Sequence, residues 1–263
     1  MRTEAVGDWV AWRAVGRLAC LVAVAAVWGL PVGGAPVVYV NGSAPAPGGG
    51  TSWADAAQSI GAGVALAEAG GASEIWVARG VYTERVSLPG SLAVYGGFAG
   101  DETDRDARRP WQQATVINRP AGFFTEAVSL YGDGARLDGF TLYGGNTGAL
   151  SVAGDGHTIA NCAFTGHWSS VAVRISGHGS TLTGCLVKGN TGGGLQLGGT
   201  GHLVQGCAFL GNSTSGAGGA VACEASDHRF ANCLFSGNTA PNGGAVLVRS
   251  EEHTSELQSP NTI

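Results

Sequence analysis

Few residues of this 263-residue chain can ligate a metal, move a proton or attack a substrate: 19 acids, 14 basic side chains, six histidines and six cysteines. Between residues 135 and 248 the acids are only Asp138, Asp155, Glu224 and Asp227, and no Asp-Asp pair occurs anywhere. Acid–base cleavage of a glycan needs two carboxylates flanking the scissile bond, and a calcium site needs several oxygen ligands together. The run Asp101, Glu102, Asp104 and Asp106 has the ligand type, but Arg105, Arg108 and Arg109 share the stretch. Neutralisation by ion pairs is the expected outcome there. His157, His202 and His228 each lie five residues before a cysteine, so a stacked imidazole row could hold a metal. Turn polarity explains that row as well. Gly61-Ala62-Gly63 follows no strand and is not a nucleotide fingerprint. Trp76, Trp111 and Trp168 could stack on sugars, with packing the expected role for Trp76. No residue is assigned to catalysis, to a cofactor or to a metal.

Composition narrows the partners. Glycine contributes 46 residues, charged side chains only 13% and hydrophobic ones 44%, which excludes intrinsic disorder. Nine prolines and no three-residue glycine period exclude collagen. A net charge of −5 cannot neutralise a phosphate backbone, so nucleic acid is not the expected partner.

Both ends read as separate from the fold. Residues 1–35 place Arg2, Arg13 and Arg17 before the apolar run Leu18–Leu30, then Pro31, Gly33, Gly34 and Ala35. That run suits an export signal and falls short of the ~20 residues of a spanning helix. An uncleaved N-terminal anchor is the alternative, and no other membrane segment is expected. Residues 249–263 begin RSEEHTSELQS, which matches a common short-read sequencing adapter in translation. They are expected to be foreign to the gene, with further coils lost beyond residue 248.

The elements that would position any chemistry come from a repeat. RLDGFTLYGGN from Arg136, TIANCAFTGH from Thr158, TLTGCLVKGN from Thr181, LVQGCAFLGN from Leu203 and RFANCLFSGN from Arg229 share one pattern. Their central residues, Phe140, Cys162, Cys185, Cys207 and Cys233, are 22, 23, 22 and 26 positions apart. An apolar residue stands two positions on and a glycine four on. Alternating apolar positions bounded by Gly and Asn are short half-buried strands with turns at positive φ. Two or three per repeat build one coil of about 22 residues in a parallel β-solenoid. The fold class is therefore all-β, a right-handed parallel β-helix over 36–248 with regular repeats at 135–248. Residues 52–70 are the one predicted helix, started by Ser52 with Asp55 and ended by Gly70-Gly71, and they cap the first coil. Glu74–Ala78 is expected to open that coil.

These residues carry a resemblance. Phe209 to Asn212 and Phe235 to Asn238, each followed by a GGA element (Gly218–Val221, Gly243–Val246), resemble the FxxN/GGA repeats of polymorphic outer-membrane-type proteins. They also resemble the wider pectin-lyase-like class, and residues 51–117 are similar to the opening of secreted bacterial β-helix proteins. Gly177-His178-Gly179-Ser180 is similar to a polygalacturonase element, but the partnering NTD, DD and RIK elements are absent, so His178 reads as an exposed turn. Two function classes follow. One is a secreted or cell-surface, non-enzymatic protein that binds extracellular polysaccharide or cell-surface components, or serves as an adhesin-like stalk. The other is a fragment of a polysaccharide lyase or glycoside hydrolase acting on uronic-acid polymers.

The cysteines yield the sharpest structural expectation. With coils stacked about 4.8 Å apart, Cys162, Cys185, Cys207 and Cys233 form one column, and the spacing of two to Phe164, Val187, Phe209 and Phe235 turns it inward. Parallel Cβ vectors oppose the ~90° disulfide dihedral, so free buried thiols are predicted, with Cys223 unpaired as well.

Overall fold

A computed structural model describes residues 37–120 and 125–249. The export-signal reading (1–35) and all but the first residue of the adapter reading (249–263) fall outside them. The chain forms an all-β parallel solenoid of about 7 turns, each of about 23 residues. Three sheets run along it, one of eight strands and two of seven, and each strand pairs in parallel with its equivalent one coil away. A typical coil runs through Thr158–Ala160 in the first sheet, Ala163–His167 in the second and Val173–Ser176 in the third.

The core is a set of stacked columns. Leu137, Ile159, Leu182 and Val204 line the first sheet, and Leu142, Phe164, Val187 and Phe209 the second. All eight are fully buried. Each such side chain stabilises the fold by roughly 1.5–3 kcal/mol relative to exposure. The corner from first to second sheet explains the Gly/Asn signature: Gly139, Asn161, Gly184, Gly206 and Asn232 all lie at φ between 51° and 84°. Gly has no Cβ penalty there and Asn tolerates the region best among the rest.

The cysteines follow at this corner, immediately before the second-sheet strands. Cys162, Cys185 and Cys207 are buried, Cys233 is half-buried, and these four and Cys223 are free. Each column thiol donates to the carbonyl two residues back, as Cys162 does to Ala160 at 3.1 Å. Each also reaches a carbonyl of the preceding coil, such as Leu137 O at 3.7 Å. Burial pushes the Cys185 thiol well up and that of Cys223 to about 12. Hydrogen bonds with Cys185 and Cys233 act the other way on Cys207 and lower its thiol, and at this corner the side chains pack as small hydrophobes.

The N-terminal end departs from expectation in two ways. A strand at Val37–Val40 precedes the helix and pairs with Glu74–Ala78, so it, and not Glu74–Ala78, opens the first sheet. The predicted helix over 52–70 is also broken. Ser52 caps only a 3₁₀ turn at Trp53–Asp55, and α1 spans Ile60–Gly70 with Ser59 as its cap. The backbone between them is claimed by the first strand: Ala57 N–H donates to Tyr39 O at 2.9 Å and Ala57 O accepts from Asn41 at 2.8 Å. Helix α1 then lays Ile60, Gly63, Val64 and Ala67 over the open end of the core. A Cβ on Gly63 would stand 2.5 Å from Val40, so only glycine allows this approach. Glu84, from the turn after Gly80–Thr83, forks onto the free N–H groups of Ile60 and Gly61 at 2.8 and 2.9 Å. A carboxylate suits the positive end of the helix dipole. Glu84→Ala is expected to lower stability by about 1 kcal/mol in urea denaturation, with the smaller part of that loss seen in Glu84→Gln.

Candidate functional site on the third sheet

The outer face of the third sheet is polar. Its central row runs Ser87, Ser129, Ser151, Arg174, Gln196, Ala222 and Leu247 in strict parallel register. The turns entering this sheet differ in length. Asn190 precedes its third-sheet strand (Leu195–Leu197) by five residues, and Asn212 precedes its own (Val221–Cys223) by nine. The extra residues form a lip that pairs with the turn of the next coil, through Gly218 N–H to Asn242 O at 2.9 Å and Gly219 N–H to Gly243 O at 3.1 Å.

Between this lip and the sheet lies a cavity of about 350 Å³. Ser169, Ser170 and Thr214 line it from the turns, Gly192 and Gly193 beside them, and Arg174, Gln196 and Glu224 from the sheet. Gln196 Nε2 donates to Glu224 Oε1, which orients that carboxylate. Arg174 is exposed, and its guanidinium makes no hydrogen bond or ion pair among the described residues. Trp168, 57% exposed, stands directly before the Ser169–Val171 turn. The cavity thus offers two guanidiniums, those of Arg174 and Arg249, an oriented carboxylate and several hydroxyls. It suits a polyol with an acceptor for Arg174 and a hydroxyl for Glu224.

The other candidate residues hold structural positions. In the acidic run, Glu102 accepts the backbone N–H groups of Ala99, Gly100 and Asp101 at 2.6, 3.0 and 3.2 Å. Asp104 caps a 3₁₀ turn. Arg105 pairs with Glu74 at 3.0 Å and with Asp106 at 3.4 Å. Arg108 leaves the run altogether and binds Asp138 at 2.7 Å, which Arg136 also binds at 2.7 Å. Neutralisation within the stretch is therefore partial. The guanidiniums of Arg105, Arg108 and Arg136 gather 5.2, 5.2 and 5.7 Å from the ring centre of Tyr95. Burial works against the charged Asp138, but hydrogen bonds from Asn161, Arg108 and Arg136 outweigh it and hold the carboxyl below its ordinary value. Trp76 stacks on Phe98 at 4.9 Å, a packing role, while Trp111 is 60% exposed.

Asp155 and His178 form an exposed ladder at the corner from third to first sheet. Asp155 Oδ1 accepts the His178 N–H at 2.8 Å, and His178 Nδ1 meets Thr200 Oγ1 at 2.9 Å. His157, His202 and His228 are buried beside it, and both ring nitrogens of the first two are engaged with backbone partners. Sequence reasoning passed over the Arg174 cavity. The one available signal was the 26-residue interval from Cys207 to Cys233, which marks the inserted lip.

A family model described as "Right handed beta helix region" matches residues 126–261. Two crystal structures of pectin methylesterase from Aspergillus niger, one deglycosylated and one retaining an N-acetylglucosamine stub, each cover 87% of this chain and 93% of their own. Identity is 12% in both, with TM-scores of 0.39 and 0.38. No curated protein matches the chain. More than half of the sequence lies within the family model: the chain belongs to the right-handed β-helix family.

Proposed function

We propose that this chain is an exported, non-enzymatic β-helix that binds extracellular glycan or a cell-surface component through the third sheet, with the Arg174 cavity as its contact. The observation that carries the reading is the cavity's chemistry. Arg174 is unpaired there, whereas the acids of the repeats already have partners. Asp138 sits between two guanidiniums, Asp155 accepts His178, Glu224 accepts Gln196 and Asp227 accepts Ser226 at 3.2 Å. Export rests on residues 1–35. Among the described residues, no helix is long and apolar enough to cross a membrane.

The second reading, a fragment of a lyase or hydrolase acting on uronic-acid polymers, draws on Glu224 and Arg174 sharing one cavity. Affinity electrophoresis against a panel of neutral and acidic polysaccharides separates the two. The binding reading expects retardation by at least one polymer, weakened about tenfold by Arg174→Ala, the size of one lost charge-assisted hydrogen bond. It also expects no ultraviolet absorbance from unsaturated uronide and no new reducing ends on pectate or alginate with Ca²⁺. Retardation that survives both Arg174→Ala and Trp168→Ala removes the cavity from the proposal. Product formation replaces the first reading with the second.

A further inference from the structure

The dipeptide Asn-Gly occurs twice in this chain, at Asn41-Gly42 and at Asn242-Gly243. Asparagine is a labile residue, and most of all before glycine, whose missing side chain lets its backbone nitrogen approach the asparagine Cγ. The structure treats the two pairs oppositely. At the first, Asn41 Oδ1 accepts the Ser43 N–H at 2.9 Å, and the Gly42 N–H that would attack donates to the Tyr82 hydroxyl at 3.1 Å. That hydroxyl is fixed in turn, donating to Ala78 O at 2.9 Å from a buried side chain. Both reacting groups are tied.

At the second pair, Asn242 and Gly243 are exposed, and neither the Asn242 side-chain amide nor the Gly243 N–H makes a hydrogen bond among the described residues. Their carbonyls are in use, because they hold the inserted lip. Asn242 O accepts the Gly218 N–H at 2.9 Å, and Gly243 O accepts the Gly219 N–H at 3.1 Å. The glycine is required here: Gly243 lies at φ 64°, and a Cβ on it would stand 2.8 Å from Val246 O. The asparagine is not, since its bridge partner one coil back is Ala217. The last coil therefore presents an untied electrophile beside an untied nucleophile.

We propose that Asn242 is a site of spontaneous deamidation whose product opens the lip over the third sheet. The Gly243 nitrogen attacks Asn242 Cγ. An N–Cγ bond forms, the Cγ–Nδ2 bond breaks, and Nδ2 leaves as ammonia with the proton that Gly243 carried. Water then opens the succinimide at one of its two carbonyls. Opening at Cγ gives aspartate in an unchanged main chain. Opening at the other carbonyl gives isoaspartate, in which the main chain runs through Cγ and is one carbon longer. The carbonyl that accepted the Gly218 N–H is then a free carboxylate outside the main chain. The Gly218 and Gly219 bonds lose their register, and the cavity wall formed by Ala217 and Gly218 is released, whatever that cavity binds.

The full chain, aged at mildly alkaline pH, is read by peptide mass spectrometry and by enzymatic methylation of isoaspartate. Position 242 should turn acidic about tenfold faster than position 41, the factor that one or two hydrogen bonds to be broken impose on Asn41-Gly42. In denaturing urea the two rates should converge, because both pairs are then untied. Hydrogen–deuterium exchange compares the amides of Gly218 and Gly219, both buried, in fresh and aged protein. Their protection should fall in step with the isoaspartate fraction. It should hold in aged Asn242→Gln, which keeps an amide at this exposed position but cyclises far more slowly. Equal native rates at positions 41 and 242, a rate gap that persists in urea, or isoaspartate at 242 with Gly218 and Gly219 still protected would overturn the proposal.

Discussion

Asp138→Ala is expected to lower stability by about 3–5 kcal/mol, the cost of leaving buried charges without their partner. The Asp138 side chain is 1% exposed, against 13% for Arg108 and 35% for Arg136. Its removal strands the Arg108 guanidinium against the first sheet, where the remaining tie is Nη1 to Gly96 O at 3.1 Å. It also orphans the Asn161 amide, which donates to Asp138 Oδ1 at 2.9 Å at a corner that needs positive φ. The loss should therefore be local as well as global. Trypsin should cut after Arg105 or Arg108 faster in the variant under native conditions, because Arg108 pins that segment to the sheet. Asp138→Asn keeps the shape and loses the charge, so it should fall between wild type and alanine. The acid dependence has a fixed sign. A carboxyl whose folded pKa is depressed contributes stability above its unfolded value of 3.8 and loses it as pH falls further. Wild type should shed this increment in strong acid, and Asp138→Ala should have none to shed. An unchanged urea midpoint in Asp138→Ala would show that the loop holds without the network.

This network illustrates what a single sequence reveals and what it hides. The coil was legible because every turn repeats its own chemistry: a left-handed Gly or Asn, a small buried Cys, an apolar residue two positions later. Those constraints lie within ten residues of one another, so spacing alone exposes them. Asp138 and Arg108 are 30 positions apart, and nothing local says that Arg108 turns away from its acidic neighbours towards Tyr95. The same limit hid the Arg174 cavity. Ser170, Gly192 and Thr214 lie in three different coils, and they face one space only once the parallel register and the inserted lip are known. The helix boundary failed for another reason. Ser52 and Asp55 do form a cap, but backbone pairing between Ala57 and the Val37–Val40 strand outcompetes helix propagation until Ser59.

The asparagines at the corner from second to third sheet set the other large effect. Asn190 and Asn212, both buried, and the half-buried Asn238 form a ladder in which every amide works in both directions. Asn212 Nδ2 donates to Val187 O at 2.9 Å and to Asn238 Oδ1 at 3.0 Å. Its Oδ1 accepts Asn190 Nδ2 at 2.9 Å and Asn190 N–H at 3.2 Å. His167 holds the first place in this ladder, donating from Nε2 to Leu142 O at 3.2 Å while its N–H meets Asn190 Oδ1 at 2.9 Å. Asn212→Ala removes the middle rung and leaves Val187 O and Asn190 N–H without their side-chain partner away from water, while Asn238 Oδ1 keeps the backbone N–H of residue 212. At about 1–3 kcal/mol for each buried group so stranded, with some relaxation, the expected loss is about 3–5 kcal/mol. Asn212→Asp separates hydrogen bonding from shape. An ionised carboxylate can accept from Asn190 but has no donor for Val187 O or Asn238 Oδ1, and burial opposes its charge. At neutral pH it should be at least as destabilising as alanine. On acidification the protonated carboxyl regains one donor, so the Asp variant should recover relative to Ala as pH falls. Urea denaturation of both variants across pH measures this, and parallel curves for Asp and Ala would mean that the donors of Asn212 contribute nothing to holding the coils together.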